Sequence, residues 1–349
     1  MIRQTYEIQI ITPCFCGGAI PEQQAEIRAP SIRGQLRWWF RVLGGFRSEP
    51  LAAMPVREQE NLIFGSTAGE TGTAGKLQVR IHAEGGKSLF SSAEFPVPGM
   101  QSPEGYLVFP LRNKPRRRSA LTDFRLDLTW RGTEALAADL AALASVLGNL
   151  GALGFRSRRA MGALACAPGS LPLRAALERF ASSTTAINVR RLNLRLNSSE
   201  QAISALAQWL RGWRQHGRSQ DLRPGNQDGK PPENPGFWAA KRDHDIGYSV
   251  PAVAGQPAFR PALGLPIVQR ISGSTNNWEW ERNPKGRFAS PVLLRPHKDA
   301  EGNWHALVIF VDAHRWPAGK KVYLNGTACD VSTDLYEAMK ADSQLKSFP

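Results

Sequence analysis

A chain of 349 residues exceeds one ordinary domain and suits two. With 42% hydrophobic and 21% charged residues it can bury a core, which excludes a chain disordered by composition. No apolar run is long enough for a membrane-spanning helix, and Met1–Thr12 alternates polar and apolar residues where a secretory leader needs an apolar block. Four cysteines without a C-x-x-C pair argue against a disulfide scaffold or a zinc finger; Cys14 and Cys16, one residue apart, suit neither. The expectation is a soluble, cytoplasmic protein with no metal and no cofactor.

The charge is more informative. Forty-four Lys and Arg stand against thirty Asp and Glu, a net charge of +14, and Arg outnumbers Lys 33 to 11. A GC-rich coding bias would also raise Arg over Lys. Residues 1–170 carry +6 and residues 171–349 carry +8, so the excess is not confined to a tail. A chain basic throughout, rich in the planar guanidinium that grips phosphate bidentately, points to an extended polyanion such as nucleic acid.

In chain order, residues 5–12 alternate as a strand. Ser31 to Leu43 reads as a helix, with Ser31 as N-cap after Pro30 and Gly44-Gly45 as its stop. Leu77–Ala83, Tyr106–Leu111 and Phe124–Trp130 read as strands, and Thr133–Leu147 as a helix with Leu136, Leu140, Leu143 and Leu147 on one face. A glycine-rich segment, Gly148–Leu164, follows. This order fits the split βαβ of a ferredoxin-like (RRM-like) domain. Further on, Ile187–Leu196 reads as a strand and Ser199–Trp213 as an amphipathic helix. Residues 215–262 read as a long Pro/Gly-rich loop, and Val292–Arg295 and Trp304–Asp312 as strands. The organisation expected is α+β, two ferredoxin-like (RRM-like) domains in tandem with long loop insertions, covering 1–170 and 171–349.

Three basic segments could carry chemistry. In SIRGQLRWWFR, Ile32, Leu36, Trp39 and Leu43 form one helical stripe, and Arg33, Arg37 and Arg41 a second beside it, with Trp38 pointing outward. Three cations one turn apart repel unless something anionic neutralises them, either phosphates or an acidic protein surface. The glycine-rich segment carries Arg156, Arg158 and Arg159, and glycines let backbone approach a sugar-phosphate chain; it lacks the G-x-x-x-x-G-K-[ST] pattern of a nucleotide-triphosphate loop. Arg112, Lys114, Arg116, Arg117 and Arg118 form a third cluster, as consistent with a solvated charge run as with RNA contact. Catalytic constellations are sparse. The six histidines show no metal-site spacing, and Asp243-His244-Asp245 reads better as a salt-bridge cluster than as a metal or acid–base site.

TPCFCGGA (Thr12–Ala19), EIRAPSIRGQLRWWFR (Glu26–Arg41) and ENLIFGST (Glu60–Thr67) resemble the N-terminal signature of the RAMP proteins. Within that superfamily the segment is most similar to the Cmr-one subunits of type III-B CRISPR (Cmr) effector complexes. The matching residues are Ser31, Ile32, Arg33, Gly34, Leu36, Arg37, Trp39 and Arg41, then Glu60, Ile63, Phe64, Gly65 and Ser66. The glycine-rich loop matches at Gly151, Gly154, Arg156, Arg158, Arg159 and Gly162 and departs at Ala160, where the family pattern has glycine. Leu263–Ile267, Arg287 and Ser290-Pro291 look like the C-terminal blocks.

The resemblance implies two ferredoxin-like domains and a place in a crRNA-guided antiviral ribonucleoprotein. Its partners would be crRNA near its 3′ end, target single-stranded RNA and the other Cmr subunits, with cleavage carried out by a different subunit. The RNA-binding residues expected are Arg33, Arg37, Trp38, Arg41, Arg156, Arg158, Arg159, Arg116 and Arg117, with no catalytic residue. An alternative is a RAMP endoribonuclease processing precursor crRNA, for which His244 or His82 would have to act as the base.

Overall fold

The computed structural model describes residues 1–18, 20–67, 72–85, 88–99, 101–112, 118–120, 122–166, 170–215, 238–247, 254–265, 267–270, 277–281, 287–324 and 327–348. The architecture is mixed helix and sheet, and the sheets pair antiparallel. The chain divides into two compact units. One holds Met1–Leu206, Leu293–Ile309 and Ser347–Pro349; the other holds Ala207–Val292 and Phe310–Lys346. The division expected at 170/171 falls inside the first unit.

The first unit is built on β1 (Ile2–Ile10), α1 (Ala29–Val42), α2 (Val56–Phe64), β2 (Leu77–Ala83), α3 (Pro103–Val108), β3 (Asp123–Trp130), α4 (Ala137–Leu150) and β4 (Leu164–Cys166). Its sheet has the order β2-β3-β1-β4. Pairing of Tyr6 with Leu126 and of Ile8 with Phe124 sets one face apolar, and α1 and α4 pack on one another and on these strands. The opposite face carries Arg3, Thr5, Glu7 and Gln9, all exposed, as period-two alternation requires. α4 is buried nearly all round, from Leu140 to Gly148, so it is the central helix of this core.

Three expectations are corrected here. α1 begins at Ala29 with Arg28 as its N-cap, so Ser31 is not the cap; Pro30 sits in the first turn, where its missing N–H costs no helical bond. Tyr106–Leu111 is not a strand but the end of α3 and a 3₁₀ turn (Phe109–Leu111). Ser102 caps that helix, its Oγ accepting from the Gly105 N–H at 3.0 Å, and Pro103 opens it; these helix-start signals override the β propensity of Tyr106 and Val108. The third correction lies in 215–262, where a helix forms at Trp238–Gly247; residues 216–237 and 248–253 lie outside the described residues.

The later strands of the first unit are β5 (Asn188–Leu192), β8 (Val292–Lys298) and β9 (Trp304–Phe310), paired in the order β8-β9-β5. Between them in the chain come α5 (Ser199–Gln215), α6 (Trp238–Gly247), β6 (Ile267–Arg270) and β7 (Asn277–Glu281); β10 (Val322–Leu324), β11 (Thr327–Cys329) and α7 (Asp334–Lys340) follow. The second unit has its own sheet, β11-β10-β7-β6, and its own core of Ala258, Ala262, Leu265, Phe288, Trp316 and Val322. There the indole N–H groups of Trp209 and Trp213 both donate to Asp342 Oδ2 at 2.8 Å.

Candidate nucleic-acid interface

Ile32, Leu36, Trp39 and Phe40 bury one face of α1, leaving Ser31, Gly34, Gln35, Trp38 and Arg41 on the side away from the core centre. These residues form one wall of an open groove of about 450 Å³. The loop from Ala152 to Arg158 and the Leu293–Arg295 segment of β8 form the others. Gly34 has open space where a side chain would stand, so the helix wall is low there. The helix stripe and the glycine-rich loop, more than a hundred residues apart in sequence, thus meet in one cavity.

Within the groove the Arg158 guanidinium lies 5.2 Å from the centre of the Trp38 ring, a cation–π arrangement. Burial lowers the pKa of Arg158 from its ordinary value. Trp38 meets Trp39 edge to face, with ring centres 4.7 Å apart. Trp39 is buried, lines the groove, and its indole N–H has no hydrogen-bond partner among the described residues. Arg41 keeps half of its side-chain surface exposed, with Nη1 3.6 Å from Glu60 Oε1. Cations and an indole around an open cavity can take an anionic, aromatic ligand.

Arg33, Arg37, Arg156 and Arg159 are also partnered within the protein. Arg33 donates to the Phe64 carbonyl and Arg37 Nε to the carboxylate of Glu60, which is nearly buried. α2 therefore neutralises much of the α1 ladder through Glu60. Arg156 donates from Nε to the Leu107 carbonyl, and Arg159 is buried with Nη1 on the Arg158 carbonyl at 3.1 Å. Arg112 donates to the Pro98 carbonyl and Arg118 to the Ser92 carbonyl, each at 2.8 Å; Lys114, Arg116 and Arg117 lie outside the described residues.

The loop's shape depends on left-handed backbone. Gly154 (φ 79°) would place a Cβ 2.7 Å from the Phe15 carbonyl oxygen, so only glycine fits. Arg156 and Ala160 also have positive φ, 66° and 68°. Ala160, the departure from the family pattern, thus adopts the conformation a glycine would take, with its methyl buried. The loop then joins β8 through Ala160 N–H to the Leu294 carbonyl at 3.0 Å and Leu294 N–H to the Arg158 carbonyl at 3.2 Å.

Residues 7–165 match the sequence model of the RAMP superfamily. That segment is therefore similar to a RAMP domain. Two curated relatives from Pyrococcus furiosus match as well. "CRISPR system Cmr subunit Cmr1-1" is 28% identical over 172 residues, 47% of this chain and 47% of that protein. "CRISPR system Cmr subunit Cmr1-2" is 27% identical over 181 residues, 47% of this chain and 95% of that one. The match thus spans about half the length of the first relative. Among solved structures, apo Cmr1 from Pyrococcus furiosus shares the fold, with a TM-score of 0.54, 15% identity and coverage of 98% of this chain and 97% of that one.

A residue that the sequence did not single out supports the groove. Arg295 is fully buried and donates to the carbonyls of Asn149 at 2.6 Å and Gly148 at 2.8 Å, and to those of Gly151 and Leu164. It satisfies carbonyls at the C-terminal end of α4, which have no partners within the helix, and fixes the start of the glycine-rich loop. Burial pulls its pKa down to about 9, with Cys166 acting in the opposite direction. The one sequence signal is an arginine inside the apolar run of β8.

The histidine and carboxylate clusters are largely committed. Asp243 accepts from the N–H of Phe259 and of Arg260 and from Arg260 Nε, which makes it a structural anchor in the second unit. His82 Nε2 lies 3.0 Å from the buried Asp127 carboxylate, without hydrogen-bond geometry. No helix among the described residues is long and apolar enough to cross a membrane, and none of the described residues form a group of three or more His, Cys, Asp or Glu able to hold a metal.

His297 stacks against His305 beside Arg295, and its pKa falls to about 3 through burial first, then repulsion from Arg295 and His305, with Asp299 opposing. A group neutral in the folded state and titrating near 6.5 when unfolded stabilises fully above pH 6.5 and loses that contribution as pH falls toward 3. The parent is therefore expected to lose about 1.4 kcal/mol more per pH unit below 6.5 than His297→Gln. Urea unfolding at pH 7 and pH 5.5 measures this, and equal pH slopes would contradict it.

Proposed function

We propose that this chain is a non-catalytic RNA-binding subunit of a crRNA-guided type III-B CRISPR effector complex, acting in the cytoplasm in antiviral defence. It would contact crRNA near its 3′ end and target single-stranded RNA, beside other Cmr subunits. The observation that carries the reading is the groove of the RAMP domain, where Trp38, Arg41 and Arg158 converge. The strand order of the first sheet supports a ferredoxin-like plan for the N-terminal domain, and we extend that plan to the C-terminal one. Phosphates would neutralise Arg41 and Arg158 while an unpaired base takes the space beside Trp38, which is recognition with little sequence preference.

Purified protein mixed with a repeat-containing RNA should bind it and leave it intact, with or without a divalent metal. Failure to bind at low salt would contradict the reading. The second reading is a RAMP endoribonuclease, favoured by the approach of His82 to Asp127 with Arg3 donating to the same carboxylate. A cleavage product that disappears in His82→Ala would establish it in place of the first.

A further inference from the structure

The glycine-rich loop exposes a side chain that neither lines the groove nor enters the core. Phe155 is 46% exposed. A single exposed ring is ordinary on a protein surface; the backbone that presents this one is not. Gly154 before it and Arg156 after it both hold positive φ, and a non-glycine residue there is strained. Each flank is clamped. The Phe155 N–H donates to the Phe15 carbonyl at 3.0 Å, Gly154 lies directly against that same carbonyl, and Arg156 is tied to the Leu107 carbonyl. Two residues beyond Leu107, Phe109 is also 48% exposed. The loop thus holds a phenyl ring in water on a rigid mount, three residues before the arginine that covers Trp38.

The ring's sequence neighbours identify its ligand class. Gly154, Arg156 and Ser157 flank the ring in the chain with a polar, cationic stretch, and the Phe109 ring is exposed near the same Leu107 clamp; charge beside exposed rings suits bases carried on a polyanion. Resting on the RNA reading above, we propose that Phe155 is a stacking platform for a base of single-stranded RNA next to the segment held in the groove. Stacking on one aromatic tolerates any base, because every base has a π-face. Phe155 would add affinity without adding a phosphate contact.

The test uses the full chain and a fluorescein-labelled oligouridylate, read by anisotropy over a range of salt, beside an abasic strand of equal length. Phe155→Ala is expected to bind the oligouridylate about 5–30-fold more weakly. Its salt slope should stay unchanged, because the number of phosphate contacts does not change. On the abasic strand it should bind like the parent, and Phe155→Trp should restore or exceed parental affinity for the oligouridylate. If the parent binds RNA and Phe155→Ala binds equally well, the stacking role is wrong while the RNA reading stands. A lowered salt slope in Phe155→Ala would also overturn it, since the loop would then have displaced its arginines. A parent that binds neither strand removes both.

Discussion

Arg295→Met is expected to lose about 3–5 kcal/mol of folding free energy, read as a lower urea midpoint with an unchanged slope. Methionine fills much of the same volume but donates nothing to the carbonyls of Gly148, Asn149, Gly151 and Leu164. Each carbonyl left buried without a donor costs about 1–3 kcal/mol, less where local shifts or water restore a partner. Arg295→Lys should recover only part of the loss, because a single ammonium lacks the planar fork that reaches several carbonyls at once. Because this guanidinium fixes the end of α4, the start of the glycine-rich loop should loosen as well. A loss below about 1 kcal/mol would show that these carbonyls find other partners.

Trp39→Ala is expected to cost a similar amount, about 3–5 kcal/mol, since it empties a buried indole site between α1 and the core. Its neighbour gives the contrast. Trp38 is only half-buried and lines the groove under Arg158, so Trp38→Ala should melt much closer to the parent. Equal melting of the two variants would mean that Trp38 is also a core residue and that the groove is not a ligand surface.

Three strands of the first sheet are legible from alternation, which reports burial most directly in β3, where Phe124, Leu126, Leu128 and Trp130 are buried; the bounds expected for Leu77–Ala83 agree with β2. α4 was legible from its leucine spacing, although its first turn is 3₁₀. The Arg33–Arg37–Arg41 stripe was legible as a stripe. Where each guanidinium ends was not, because Glu60 and Phe64 arrive from a different helix and sequence spacing carries no record of that approach. Arg295 lay further out of reach, its carbonyl partners being more than 130 residues away. α6 was hidden in a segment whose proline and glycine content dominates any sequence window.

The partners of the arginines make the proposed RNA groove directly testable. The sequence pointed to Arg37 as strongly as to Arg158, yet Arg37 bonds the nearly buried Glu60, so Arg37→Ala should act first on stability. The decisive measurement is single-stranded RNA affinity against salt for the parent and for the Arg41→Ala/Arg158→Ala double variant. A charge-assisted phosphate contact is worth about 1.5–3 kcal/mol where it is desolvated, as at Arg158, and less at the exposed Arg41. An RNA groove in this position predicts roughly 10–100-fold weaker binding by the double variant and a log–log salt slope shallower by about 1.4, in a variant that still unfolds cooperatively. Parental affinity and slope in a folded double variant would contradict it and move the RNA path elsewhere on the chain.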